Sequence, residues 1–351
     1  MKKYVICVDN GADYNAATKA RQDAETIMRS MGCEPLLFPG ERTAAGNLLK
    51  QVSLFFRTLT AWQKLNRTVE PGSLVIMQYP FFPIKMVYVL RQLLPRTQKK
   101  KKARFLALIH DLNSLRGFYG NAAVFSDTRF LKLFDHIITH NRKMTEYLVE
   151  AGIPEDKLTE LELFDYLTDA VPKEHTLPEG IAVAGNLDPE KSGYISRLVR
   201  MADENLPLHL YGRGLKGKNE VRSLSFHGAF APEILPGELE GAFGLVWDGS
   251  SAETCEGLTG NYLRYNNPHK LSLYLASGLP VIIWKEAAEA GFIKDNNLGL
   301  LISNLTKIPD LIRNTTEDTY REMQAQAQKI QARVRDGSYL AEALRKAEKS
   351  I

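Results

Sequence analysis

The stretch from Asn266 to Ile282 reads Asn-Asn-Pro-His-Lys-Leu-Ser-Leu-Tyr-Leu-Ala-Ser-Gly-Leu-Pro-Val-Ile and carries the chain's most specific chemical signal. A helix expected over Lys270–Ser277 begins just after Pro268, a residue suited to a helix start because it has no N–H to leave unsatisfied. Asn267, His269 and Lys270 then cluster at the positive end of the helix dipole, where free backbone amides favour an anion such as a diphosphate. A generic amphipathic helix explains the apolar spacing, but not the Asn-Pro-His-Lys at its mouth. Gly278 closes the helix and Pro280 begins a buried strand.

Other polar runs stand where a strand gives way to a helix. His110-Asp111-Leu112-Asn113-Ser114-Leu115-Arg116 follows an apolar run and sets an imidazole and a carboxylate together, either of which could accept a proton. Asp111 could equally cap a turn or pair with Arg116. Ala184-Gly185-Asn186-Leu187, with Lys191 and Ser192 before the next helix, makes a phosphate-facing turn. Tyr211-Gly212-Arg213-Gly214 ends another strand with two glycines and a guanidinium, allowing close backbone approach and a charge-assisted bond to phosphate. A glycine-rich surface turn accounts for the same residues. Phe226-His227-Gly228 could lie beside a nucleobase, although a lone histidine at a strand end is more often structural. Near the start, Asp9-Asn10-Gly11-Ala12-Asp13-Tyr14-Asn15 leads into a helix that Asn15 can cap, and a plain capped turn serves as well as an anion site. No G-x-G-x-x-G is present, so dinucleotide binding gains nothing.

In an open α/β sheet, ligands bind beyond the carboxyl ends of the strands, so the elements around these loops decide their meaning. Strands are expected at Tyr4–Val8, Pro35–Phe38, Leu74–Met77, Phe105–Ile109 and His136–Thr139, with helices at Ala16–Met31, Leu48–Leu65, Ile84–Leu94 and Arg142–Ala151. Polar, proline-bearing Phe164–Glu179 reads as a linker. A second series follows, with strands at Ile181–Ala184, Leu208–Tyr211, Ser223–His227, Gly244–Trp247, Val281–Ile283 and Leu300–Ile302. Its helices fall at Tyr194–Asp203, Lys270–Ser277, Ala287–Lys294 and Leu305–Asn314. The alternation implies an α/β chain of two Rossmann-like domains with parallel sheets, residues 1–165 and 178–315, and a C-terminal helix over 316–351 that packs back on the first.

A chain of 351 residues suits two cores better than one. Its 44% hydrophobic and 25% charged residues leave no case for extended disorder, and a net charge of +4 gives none for a nucleic-acid partner. No run approaches the roughly 18 apolar residues of a membrane span. Three cysteines without metal-ligand spacing favour a reducing compartment, the cytoplasm. The cations Arg96, Lys99, Lys100, Lys101, Lys102 and Arg104 form either a solvated loop or a peripheral contact with anionic lipid at the inner face of the membrane.

The Pro-His-Lys-Leu to Pro-Val-Ile run resembles the donor-site helix of GT-B glycosyltransferases. The Asn15-Ala16, Lys19-Ala20 and Asp23 loop, His110-Asp111-Leu112 to Arg116, and Ala184-Gly185-Asn186-Leu187 resemble a narrower group within them. That group holds the bacterial β-1,6-galactofuranosyltransferases and the glucosyltransferase of serine-rich-repeat adhesins. The resemblance implies a GT-B fold of two Rossmann-like domains facing a cleft. It implies transfer of glucose, galactose or galactofuranose from a UDP-sugar to a glycan acceptor on lipid or protein. Lys270 would bind the diphosphate, and Asn186, Lys191, Tyr211 and Asn267 would line the nucleotide site. Asp13 to Asn15 would reach that site from the other domain, with Arg213 and His269 adding donor contacts and Asp111 as catalytic base.

No D-x-D motif is present, which agrees with transfer that needs no metal or other cofactor. The β-forming relatives suggest inversion. Leu273 stands where many GT-B enzymes have a ribose-binding glutamate, which keeps open a non-catalytic partner subunit of a glycosyltransferase complex. A homo-oligomer stays open as well.

Overall fold

The computed structural model describes residues 1–9, 16–40, 48–81, 87–117, 127–202, 206–215 and 223–351, which form two compact units. The first comprises Met1–Leu161 and Leu340–Ile351. It opens with β1 (Lys3–Asp9), α1 (Ala16–Ser30), β2 (Cys33–Pro39), α2 (Leu48–Thr68) and β3 (Leu74–Tyr79). It continues through α3 (Val87–Lys101), β4 (Arg104–Ile109), α4 (Asp127–Leu131), β5 (His136–Thr139), α5 (Arg142–Glu150) and β6 (Leu158–Glu160). The strands pair in parallel in the order β2-β1-β3-β4-β5-β6. Such a sheet is covered by helices on both faces, so its central strands must be apolar throughout. Every residue of β3 and β5 is buried accordingly. Trp62 of α2 stacks on Phe105 of β4 at 6.2 Å, and its indole N–H donates to Thr97 Oγ1 at 3.0 Å.

The basic run is not a loop. It continues α3 through Pro95, and Lys99, Lys100 and Lys101 form the last turn. Proline removes one helical hydrogen bond, but cations stabilise the negative end of the helix dipole. The expected first turn of this helix, from Ile84, lies outside the described residues. No described helix is long and apolar enough to cross a membrane.

The second unit, Glu162–Tyr339, begins with β7 (Ile181–Asn186), α6 (Tyr194–Met201), β8 (Leu208–Arg213), β9 (Leu224–Gly228) and α7 (Leu235–Glu238). There follow β10 (Phe243–Val246), α8 (Gly257–Tyr262), α9 (His269–Ala276), β11 (Val281–Trp284), α10 (Ala290–Asp295), β12 (Gly299–Ile302), α11 (Ile308–Arg313) and α12 (Glu317–Asp336). Its sheet is also parallel, ordered β12-β11-β10-β7-β8-β9. Gly337, left-handed at φ 86°, caps α12 and starts α13 (Ser338–Ser350). From Leu340 onward this helix belongs to the first unit, where Glu348 pairs with Lys3 at 3.0 Å.

The packing that positions α9 rests on Gly244. The Tyr274 ring lies so close over it that a Cβ there would fall 2.1 Å from the ring. The same side chain reaches across the sheet, its hydroxyl accepting from Ala184 N at 2.8 Å. Gly244→Ala should therefore displace Tyr274 and cost about 1–3 kcal/mol, the usual penalty for overpacking a core. Urea unfolding checks this through the midpoint; an unchanged midpoint would contradict the packing.

Candidate active site

Lys270 lies in the first turn of α9, close to the carboxyl end of β10. Its ammonium donates to Trp247 O at 2.9 Å and to Asp248 Oδ1 at 2.7 Å. The side chain is 18% exposed. Burial works to lower its pKa, but the neighbouring Asp248 carboxylate prevails and raises it, so the amine stays charged. An ammonium has three donors, and two are engaged here. Asn267 and His269 face another way: Asn267 is buried and its amide donates to Glu162 O at 2.8 Å, while the His269 ring packs on Tyr166 at 5.0 Å. Both therefore fix the segment after the first unit's last strand against the mouth of α9. Leu273 is buried in the same helix and adds only packing.

The paired glycine turns meet at the ends of β7 and β8. A Cβ on Gly212 would fall 1.8 Å from Gly185 O, so this glycine is required by the neighbouring turn itself. Asn186 is exposed and its Oδ1 accepts from Asp188 N at 2.8 Å, a turn closed by its own side chain. Lys191 and Arg213 are exposed, and neither has an ion pair among the described residues. Tyr211 is buried; its hydroxyl donates to Glu238 O at 3.1 Å and accepts from Glu240 N at 2.8 Å. Those bonds commit it to the segment after α7.

In the first unit, Asp111 follows β4 and accepts from Arg116 at 2.7 Å, the pairing its spacing allowed. Arg21 is buried, donates to Pro80 O at 2.8 Å and feels the Asp111 charge; burial dominates and lowers its pKa to about 10. His110 Nε2 donates to Gln78 Oε1 at 2.6 Å, and Gln78 Nε2 donates onward to Glu25 Oε1 at 3.2 Å. Buried Asp127 accepts from Tyr79 Oη and from Ser114 N and Oγ, tying down the loop that carries Asp111. Lys19 and Asp23 form a buried pair at 2.5 Å. Asp13 and Asn15 lie outside the described residues.

Sequence reasoning passed over Asp248, Arg21 and Asp127. Asp248 had the same signal as Asp111, a carboxylate immediately after an apolar strand. Arg21 and Asp127 had none, because their importance comes from burial.

Known proteins resemble this chain in sequence and fold. The chain is 36% identical to the β-1,6-galactofuranosyltransferase WbbI of Escherichia coli over 69% of its own length and 71% of that protein's. It is 22% identical to glucosyltransferase 3 of Streptococcus gordonii, over 68% and 69% of the two chains. Among solved structures, Anabaena HepE in complex with UDP-glucose superposes with a TM-score of 0.59 at 12% identity, over 99% of this chain and 100% of that one. Two parallel six-stranded sheets, strand-end polar loops and this likeness define a glycosyltransferase of the GT-B fold. Residues 2–163 match the glucosyltransferase 3-like N-terminal domain and residues 181–347 its C-terminal domain, and the chain belongs to the glucosyltransferase 3-like family.

His140, just after β5, brings a pH dependence to the scaffold. It is buried, its Nε2–H donates to Ile109 O at 3.1 Å, and burial lowers its pKa to about 3 against the opposing pull of that backbone bond. The folded pKa is below the unfolded value of 6.5, so its contribution is complete above pH 6.5 and is lost as pH falls towards 3. Across that window the unfolded chain binds a proton that the fold excludes, a slope of about 1.4 kcal/mol per pH unit. His140→Asn should make the unfolding free energy less steep between about pH 4 and 6. Parallel wild-type and variant profiles in chemical denaturation would refute this.

Proposed function

We propose that the chain moves a hexose (glucose, galactose or galactofuranose) from a UDP-sugar to a glycan acceptor, with inversion and without a metal ion on the diphosphate. The observation that carries the reading is the charged Lys270 ammonium, fixed at a strand's carboxyl end with one donor to spare. The names of the relatives and the UDP-glucose bound to HepE support the donor class.

In this reaction the acceptor oxygen bonds to the anomeric carbon as the bond to the diphosphate breaks. Asp111 takes the acceptor's proton, released from Arg116 as substrate enters. Lys270, the amides opening α9, and exposed Arg213 and Lys191 stabilise the charge gathering on UDP. Asn186 meets the nucleotide at the end of β7. Asn267, His269 and Tyr211 act by holding backbone segments in place.

Lys270→Ala should lower turnover about 10²- to 10³-fold, the usual loss of one transition-state donor, with an unchanged circular dichroism spectrum. UDP release in the presence of a chelator measures it, and near-normal activity would remove Lys270 from the site. The buried, apolar Leu273 favours a second reading, a non-catalytic partner subunit. Absence of UDP release across UDP-hexoses and acceptors would select it.

A lipid-linked acceptor fits the exterior of the first unit. Leu49, Val52 and Phe56 of α2 are 81%, 44% and 60% exposed. A cavity of about 310 Å³ between α2 and α3 is lined by Arg67, Arg96 and Lys100. Exposed apolar side chains near the start of α2 and clustered cations near its end suit an anionic membrane surface. Replacing Lys99, Lys100 and Lys101 by Gln should reduce co-sedimentation with phosphatidylglycerol vesicles severalfold, and undiminished binding would exclude this contact.

A further inference from the structure

Away from Lys270, the second unit holds two imidazoles and a carboxylate that the transfer reaction does not use. His209 is the second residue of β8, His227 lies in the edge strand β9, and Glu240 stands between α7 and β10. Ser225 pairs with His209, so an unbroken register would set His227 opposite Tyr211. Instead the ladder slips between Leu210 and Tyr211, Tyr211 pairs with Gly228, and His227 becomes the extra residue. Such a bulge re-aims a side chain. Here it lays the His227 ring flat on Tyr211, centroids 4.5 Å apart, and brings its Nε2 to 3.2 Å from His209 Nδ1.

The tautomers follow from the partners. His209 Nε2 lies 3.1 Å from Glu179 O, which can only accept, so the proton is on Nε2 and Nδ1 offers a lone pair. His227 Nε2–H donates to that lone pair. Glu240 Oε2 completes the group at 3.5 Å from His209 Nδ1 and 4.0 Å from His227 Nε2, while Lys173 holds its other oxygen at 2.8 Å. Burial lowers both imidazole pKa values against the pull of Glu240, favouring the neutral, ligating form.

The three ligand atoms have the spacing of a metal site. A point equidistant from them lies about 2.1 Å from each, the bond length zinc makes to imidazole and carboxylate. An imidazole that ligates through one nitrogen commonly donates the other N–H to a backbone carbonyl, as His209 does to Glu179. The side chains of His209, His227 and Glu240 are 13%, 23% and 41% exposed, so a hydrated ion can enter and keep water as its fourth ligand.

We propose that His209 Nδ1, His227 Nε2 and Glu240 Oε2 bind one divalent transition-metal ion, zinc in the first instance, which staples the edge strand β9 to β8 and to the segment before β10. On binding, the rings rotate to face the ion and the His227 proton passes from Nε2 to Nδ1, with no change in net protonation. His209 lies at the amino end of β8 and Glu240 just before β10, opposite the strand ends that carry Lys270, Asn186 and Arg213, so the ion is structural.

The full chain, stripped with a chelator and dialysed, is titrated with zinc chloride by calorimetry and melted with and without zinc. One ion per chain and a raised melting temperature are expected. His227→Ala and Glu240→Gln, confirmed folded by circular dichroism, should each weaken binding at least tenfold and abolish the rise. No binding by the wild type, or equal affinity in both folded variants, would overturn the proposal. The readout is binding rather than UDP release, so its failure leaves the transferase reading standing.

Discussion

The arrangement at the carboxyl end of the second sheet depends on where one ammonium is held. Lys270 reaches the β10 strand end because α9 is pinned from beneath: Tyr274 packs over Gly244 of β10 and bonds the backbone of β7. Leu271, Leu275 and Ala276 are fully buried beside it, so the helix cannot rotate without opening the core. The first turn is fixed from the other side by Asn267 on Glu162 and His269 on Tyr166. A lysine side chain has considerable rotamer entropy to lose, and this one has lost it before any ligand arrives. Pre-ordering of that kind makes a positive charge effective on a leaving group, since no reorganisation remains for the reaction step.

The two glycine turns beside it have a different origin from the one their composition suggests. Gly212 is required by contact with Gly185, and Gly214 by the approach of Asp188, so β7 and β8 end in turns packed backbone to backbone. The open polar groups at this edge are the side chains Asn186, Lys191 and Arg213. In the proposed reading, ligand recognition there falls to side chains, with the glycines setting the spacing between the strands that bear them.

The architecture was largely legible because parallel strands buried on both faces must be apolar runs. Leu74–Tyr79, His136–Thr139 and Val281–Trp284 are such runs and were found within a residue or two. Elements without that signature escaped: α8 is a six-residue helix over Gly257–Tyr262, and α7 carries a proline and a glycine in four residues. The helix over Val87–Lys101 was cut short at Pro95, where the local rule is correct and the surrounding packing overrides it. At the site, residue types gave the candidates but not their directions. Lys270 and Asn267 are three positions apart, yet one faces Asp248 and the other Glu162. The bulge that seats His227 was beyond reach, because a slipped register leaves no mark in composition.

The two carboxylate pairs at strand ends differ in how exposed their cations are, and that difference suits their proposed parts. Arg116 is 40% exposed beside Asp111, which is 25% exposed and also interacts with the charge of buried Arg21. An exposed guanidinium loses little on turning into water, so in the proposed reaction Arg116 yields its place to the acceptor hydroxyl while buried Arg21 stays. Lys270 and Asp248 are 18% and 30% exposed, and Trp247 O binds the same ammonium, so separating them would strand a charge away from water. A proton acceptor has to change partners during each turnover, whereas a counter-charge for the leaving group has to stay where it is. The exposed guanidinium in the first unit and the shielded ammonium in the second meet those opposite requirements.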